Sequence, residues 1–363
     1  MGKKLKTIIA AAALIFSANT VSSQNQEAVA VSDTAKKEHK SRLEGIKPSV
    51  PKVSGLIQTR YFYDSQETKP NSFDIRRVRV SFAGEFGKFV DYRVQAEWES
   101  SPKILDAYVN FKPAKAFNIQ IGQFKVAYSQ EGLEGPASMY TIERPTAVNK
   151  LHAYSDVSGL SANARDVGIR FWGKVGNKEG YDVFTYKLGL YNGNGINIKD
   201  NDEYKNVALL LTYNPIKQLQ LEVGQYLGHY TPTAVPADSI AAGHDINENA
   251  IKRNRTSAGF TVNSGDLFVR SEYLYGKTDD TEQQGAFIIA AYTFSRRFQP
   301  VVGYSYYQKD KSVDTDIQND ITIGFNWILN KHIRLQTNYI LTDYSNSNKD
   351  NASLVEAQLS VKF

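Results

Sequence analysis

From residue 53 onward, apolar and polar positions alternate with a period of two, interrupted by clusters of Gly, Asn, Asp and Pro. The interruptions divide the chain into sixteen segments of strand character: 53–64, 73–86, 89–99, 104–112, 117–125, 165–174, 181–192, 205–213, 219–228, 255–262, 267–275, 286–294, 298–309, 320–328, 332–342 and 353–363. Most are long enough for a tilted transmembrane strand of roughly 9–11 residues. Their two faces differ consistently. In the last segment Val355, Ala357, Leu359, Val361 and Phe363 oppose Glu356, Gln358, Ser360 and Lys362. In 89–99, Val90, Tyr92, Val94, Ala96 and Trp98 oppose Asp91, Arg93, Gln95, Glu97 and Glu99. A soluble antiparallel sheet with one wet face also alternates. Repetition around an even number of strands favours polar inside and apolar outside.

The connections add direction. Those following even-numbered segments are tight: Gly87–Lys88, Pro113–Lys115, Asn214–Gln218, Asn263–Gly265 and Ser295–Arg297. Those following odd-numbered segments read as longer, above all 126–164, 229–254 and 345–351. A barrel with both termini on the periplasmic side has short turns inside and long loops outside, whereas a sandwich has no reason to sort its loops. The expectation is an all-β chain, a 16-stranded antiparallel transmembrane β-barrel over residues 53–363.

The ends agree with export. Lys3, Lys4 and Lys6 precede an apolar run over 7–16 and small residues up to Ser23, so 1–23 reads as a cleaved signal peptide. Residues 24–52 are polar, hold Pro48 and Pro51, and read as a flexible periplasmic linker. No later apolar stretch approaches a membrane-spanning helix. A hydrophobic content of 41% does not separate a soluble protein from a barrel, because only alternate residues face lipid. Tyr and Phe, 22 and 18 against 3 Trp, suit the aromatic girdles of a barrel. The net charge of +5 includes the signal and linker lysines and says little about the folded part. A terminal Phe363 on an amphipathic strand resembles the signal by which barrel assembly machinery recognises its clients.

Several stretches in order, FDIRRVRVSFAGEF, DAYVNF (Asp106–Phe111), IGQFK (Ile121–Lys125), ERP (Glu143–Pro145), ARDVGIRF (Ala164–Phe171) and LYNGNG (Leu190–Gly195), resemble the phosphate-selective porins O and P. The resemblance spans essentially the whole barrel. It implies a homotrimeric bacterial outer-membrane channel that favours anions, with phosphate or polyphosphate as solute and lipid and lipopolysaccharide as surroundings. The chain departs from the family after GQFK, where it reads Val126-Ala127-Tyr128-Ser129 rather than proline and glycine.

Strand parity then sketches a pore wall. Cations expected to face the lumen are Arg60, Arg77, Arg79, Arg93, Lys112, Arg170, Lys187, Arg255, Arg270, Arg334 and Lys362, with Lys125 at a strand end. Acidic positions on the same faces are Glu85, Asp91, Glu97, Asp106, Asp166, Glu222, Glu272 and Glu356. A cation ring raises the local anion concentration, and guanidinium groups grip phosphate oxygens in pairs. For any single wall charge, a solvated ion pair is the plainer role. The third outer connection, 126–164, could fold inward as a constriction and bring Arg144, Lys150 or Arg165 to the ion, or remain an external loop. In Ser72–Phe86, parity sends Arg77, Arg79, Ser81 and Glu85 into the lumen. It sends Val78, Val80, Phe82 and Phe86 to lipid, with Arg76 snorkelling from that same outer face.

Catalytic and cofactor chemistry finds no support in the residues. There is no cysteine, and His39, His152, His229, His244 and His332 are scattered without metal-ligand spacing. No Ser-His-acid arrangement stands out. Gly193–Gly195 lies after a strand with no helix behind it, a turn rather than a phosphate cradle. Export and barrel patterning argue against nucleic acid as partner. Two alternatives to an anion channel stay open: a general or sugar-type porin, and a non-channel barrel acting as adhesin or membrane hydrolase. The chain is short for a plug and a 22-stranded receptor barrel.

Overall fold

The computed structural model describes residues 48–178, 180–232, 249–346 and 348–363; the expected signal peptide and the linker up to residue 47 lie outside the described residues. Period-two alternation is realised as one closed antiparallel sheet. Its strands are β1 (Lys52–Asp64), β2 (Asn71–Phe86), β3 (Val90–Glu97), β4 (Lys103–Ala114), β5 (Phe117–Lys125), β6 (Arg165–Lys178), β7 (Tyr181–Tyr191) and β8 (Asn206–Ile216). They continue with β9 (Leu219–Leu227), β10 (His229–Tyr230), β11 (Ile251–Ser264), β12 (Leu267–Thr278), β13 (Thr281–Tyr292), β14 (Phe298–Gln308), β15 (Ile317–Ile328), β16 (Ile333–Tyr344) and β17 (Ala352–Lys362). β10 merely prolongs β9 beyond Gly228 along β11, so the wall has sixteen spans, as the alternation predicts. β1 pairs with both β2 and β17, which closes the barrel and leaves no edge. The seam ends in two backbone hydrogen bonds between Gly55 and Phe363, at 2.8 and 3.2 Å. Among the described residues no helix is long and apolar enough to cross a membrane; strands do the crossing.

The wall is inverted relative to a soluble protein. Ile57, Phe82, Val94, Val109, Ile121, Val223, Val302, Ile323, Val355 and Leu359 are exposed on the outer surface, while Gln58, Gln336, Asn338, Glu356 and Gln358 are buried inside. This suits lipid outside and a polar lumen within. Aromatic pairs gather where strands meet the short turns: Phe86–Tyr92, Phe117–Phe171, Phe184–Tyr213, Tyr292–Phe294 and Phe298–Phe325. They form the interfacial girdle that the aromatic excess announced.

Three expectations need correction. The sixth outer connection is not long: β12 and β13 extend to a two-residue hairpin at Asp279 and Asp280, with Asp279 at φ 49°. The strand ends there are polar, so hydrophobic alternation fades before the strand does. The start of β11 likewise precedes the expected residue 255 by four positions. Arg76 does not face lipid. The register of β1 with β2 passes from Gln58↔Arg77 to Thr59↔Ile75, which leaves Arg76 as the extra residue of a β-bulge. A bulge breaks the two-residue alternation locally, and here it turns the Arg76 guanidinium inward, onto the Ile142 carbonyl and Glu143.

The third outer loop, 126–164, folds into the barrel. It carries two short helices, α1 (Gln130–Leu133), capped by the Ser129 side chain on the Gly132 N–H, and α2 (Thr146–Leu151). The apolar face of α2, Ala147, Val148 and Leu151, packs on inward-facing Leu274, Phe287, Ile289 and Tyr307. These barrel positions would be anomalous in a water-filled lumen. They are explained by a loop that covers them, at about 1.5–3 kcal/mol for each large side chain buried.

Candidate functional site

The loop is tied to one side of the barrel by its own acids. Asp156 sits between Arg253 and Arg255 on β11, at 2.7 and 2.8 Å, and all three are buried. Burial opposes the Asp156 charge, but the two guanidinium groups outweigh it and hold the carboxyl below the usual carboxylate range. Glu131 and Glu134 both bind Arg270 on β12, at 2.8 and 3.0 Å. Side-chain to backbone contacts complete the attachment: Ile142 N–H donates to Asn338 Oδ1, and Asn326 Nδ2 donates to the Tyr140 carbonyl. The Tyr140 ring stacks on Phe268 at 3.9 Å. His152 lies flat on Tyr128 at 4.1 Å; burial, with Lys125 and Arg253 nearby, pushes it well below its ordinary value, so it is neutral at pH 7.

What remains open is bordered by the loop and by two parts of the wall, β13 to β17 at its outer end and β1 to β7 further in. It is a series of cavities that share walls. An outer cavity of about 320 Å³ is bordered by Asp64, Glu143, Arg144 and Asp320. A throat of about 50 Å³ follows, where Arg76, Arg77, Arg79, Lys125, Arg144 and Arg165 meet one acidic side chain, Glu143. An inner cavity of about 680 Å³ then opens toward the periplasmic rim at Gly55, Lys362 and Phe363. Its described lining holds Arg79, Arg93, Lys125, Arg165, Arg170, Lys187 and Lys362 against a single acidic side chain, Asp106. Arg79, Lys125 and Arg165 border both throat and inner cavity, so they mark the constriction.

The cations around this passage differ in how far they are neutralised. Arg79 Nε is 2.6 Å from Glu97 Oε2, and Arg165 Nε is 2.7 Å from Asp106 Oδ1. Asp106 also serves Arg93 at 3.6 Å. Arg77 has only a neutral partner, Gln58 Oε1 at 2.9 Å. Lys125 donates to the Gly132, Leu133 and Glu134 carbonyls and to the Tyr154 hydroxyl, and so shapes the loop tip. Arg170 binds the Lys125 carbonyl and Gln120, and its guanidinium lies over the Phe124 ring at 4.7 Å. Among the described residues no carboxylate comes within salt-bridge distance of Arg77, Lys125 or Arg170. The guanidinium groups of Arg77 and Arg170 thus hold positive charge in the passage without a fixed counter-charge.

The expected lumen residues therefore separate. Arg77, Arg79, Arg93, Lys125 and Arg170 meet around the passage, with Arg144 and Arg165 from the loop and its junction. Arg60 faces inward but is enclosed by Asp74, Glu143 and Glu356. Arg270 is covered by the loop. Arg334 shares the inward face of β16 with Gln336 and Asn338, away from the throat lining. Lys150, on α2, borders neither throat nor inner cavity. Lys112 is paired with Asp91 at 2.7 Å. Parity missed Arg76, because a bulge leaves no mark in the alternation, and it missed Asp156, whose two partners lie about a hundred residues away. It also passed over Tyr108 and Phe124, which lie at 6.2 Å edge to face inside the wall. Beside them Gly122 lets the backbones of β4 and β5 approach closely: paired with Tyr108 at φ 127°, it could carry a Cβ only 2.2 Å from the Ala107 carbonyl.

No curated protein sequence matches the chain. Solved structures do. The anion-selective porin of Comamonas acidovorans superposes with a TM-score of 0.65 at 15% identity, covering 87% of this chain and 100% of that one. The trimer form of OmpT, an outer membrane protein of Vibrio cholerae, gives 0.63 at 10% identity, with 86% and 99% covered. The outer membrane channel DcaP of Acinetobacter baumannii gives 0.61 at 10%, with 88% and 98% covered. At these identities the likeness is one of fold. The family model for phosphate-selective porin O and P matches residues 56–363, from within β1 to the last residue. A closed barrel matched in each of its sixteen spans makes this chain a member of the phosphate-selective porin O and P family, a diffusion channel of the bacterial outer membrane.

Proposed function

We propose that the channel prefers anions and takes up phosphate or a phosphate-containing solute. The observation that carries this reading is the charge balance of the passage: the lysines and arginines lining throat and inner cavity outnumber the acids, with Glu143 and Asp106 in the lining and Glu97 and Glu131 paired to Arg79 and Arg144. A cation about 6 Å from a passing monovalent anion, at an effective dielectric of about 40, favours it by about 1.4 kcal/mol, roughly tenfold in local concentration. A divalent phosphate gains twice that and finds guanidinium donors arranged for its oxygens. The family name and the anion selectivity named for the Comamonas porin support the same reading. The trimer form of OmpT supports a homotrimer.

The test is the zero-current potential of the bilayer-inserted protein in a potassium chloride gradient, followed by phosphate titration of the chloride current. Anion preference with block by phosphate is expected. Cation preference overturns the reading, and anion preference without phosphate block reduces it to a general anion channel.

A further inference from the structure

The inner cavity sets cationic and apolar side chains side by side. Arg79, Arg165 and Arg170 border it, and so do Leu56, the register partner of Arg79, Tyr108, the register partner of Arg93, and Leu133 and Pro136 at the loop tip. A passage built only for small hydrated ions has no use for the apolar members, since such ions carry their own water. The apolar residues do not merely fill space, either. Leu133 and Pro136 are half-exposed on the open side of the loop, whose buried contacts lie on its other side. Arg170 is held over the Phe124 ring, with Gln120 fixing one nitrogen, so its charge is oriented rather than mobile. An oriented guanidinium beside an apolar wall recognises a charged head and a flat body together.

We propose that the inner cavity selects organic anions, binding an oxyanion head at Arg79, Arg165 and Arg170 and a flat apolar body against Tyr108, Leu133 and Pro136. This rests on the anion-preferring reading and deepens it. The solute class is a phosphate or carboxylate carried on an aromatic or similarly flat apolar group, in preference to the bare inorganic ion. The head would hold position at the constriction while the body occupies the wider cavity on the periplasmic side, within its volume of about 680 Å³.

The experiment compares block of chloride current by phenyl phosphate, methyl phosphate and glucose 1-phosphate at pH 8. All three are monoester dianions there, since the second ionisation of such esters lies near about 6. Glucose 1-phosphate matches the bulk of phenyl phosphate but not its apolarity. Removing about 50 Å² of ring from water corresponds to about tenfold in affinity. Phenyl phosphate is therefore expected to block at about tenfold lower concentration than either of the others. Tyr108→Ala should bring the ratio close to one. Leu133→Ser on the loop tip lowers the same ratio and serves if Tyr108→Ala does not assemble. Equal block by phenyl and methyl phosphate overturns the inference, as does block by glucose 1-phosphate that matches phenyl phosphate. A phenyl advantage that survives both variants overturns it too. Loss of anion preference in the potassium chloride gradient is a separate readout and condemns the underlying reading instead.

Discussion

On β11 and β12, Arg253, Arg255 and Arg270 point into the barrel, as Arg77, Arg79 and Arg170 do from β2 and β6. Parity cannot tell the two groups apart. Yet the first group is sealed under the third loop and neutralised by Asp156, Glu131 and Glu134, all supplied by that loop. The second lines open space and is neutralised only in part. The difference is made by one segment of chain that brings its own acids to one side and leaves the other bare. An arginine on this wall is thus a buried anchor for the loop or a lining residue of the passage according to what covers it, not according to its strand.

The comparison breaks most severely at Asp156. Asp156→Asn leaves Arg253 and Arg255 buried without a counter-charge, a loss of about 3–5 kcal/mol for breaking a buried pair. The loop should loosen, single-channel conductance should rise, and the thermal unfolding midpoint of the detergent-solubilised protein should fall. Because the Asp156 value is depressed, its stabilisation is full above the ordinary carboxylate range near about 4 and is lost only as pH falls through the lower folded value. Lowering the wild type from pH 7 to pH 5 should therefore not reproduce the Asp156→Asn conductance.

A smaller effect is expected on the open side. Arg77→Gln with Arg79→Gln removes two charges from the passage and should move the zero-current potential toward zero, more at low salt where screening is weak. Smaller still is Arg76→Gln. Its charge is already matched by Glu143, so it should shift selectivity less than Arg77→Gln alone, although the two residues are adjacent. A larger shift from Arg76→Gln would mean that the bulge serves the ion rather than the loop.

The wall was legible in the sequence because the membrane imposes period two on it. Sixteen spans, the inward face of Arg60, Arg93 and Glu97, and the closing Phe363 all follow from alternation. What escaped is non-periodic. The bulge at Arg76 adds a residue without changing composition, and the Asp279–Asp280 hairpin falls where strands outrun the lipid and need no apolar face. The inward path of residues 126–164 left one trace that can be recognised afterwards: Phe287, Ile289 and Tyr307 are apolar on a face that should be wet. Their need for cover points to a plug segment, but not to which loop provides it.

The most direct test of the central claim sets charge removal on the open side against pair removal on the covered side. The zero-current potential in a potassium chloride gradient would be measured for the wild type, for Arg77→Gln/Arg79→Gln, and for Arg270→Gln/Glu131→Gln. The account predicts anion preference in the wild type, a marked loss in the first variant, and little change in the second. Cation preference in the wild type, or equal loss of selectivity in both variants, would contradict it.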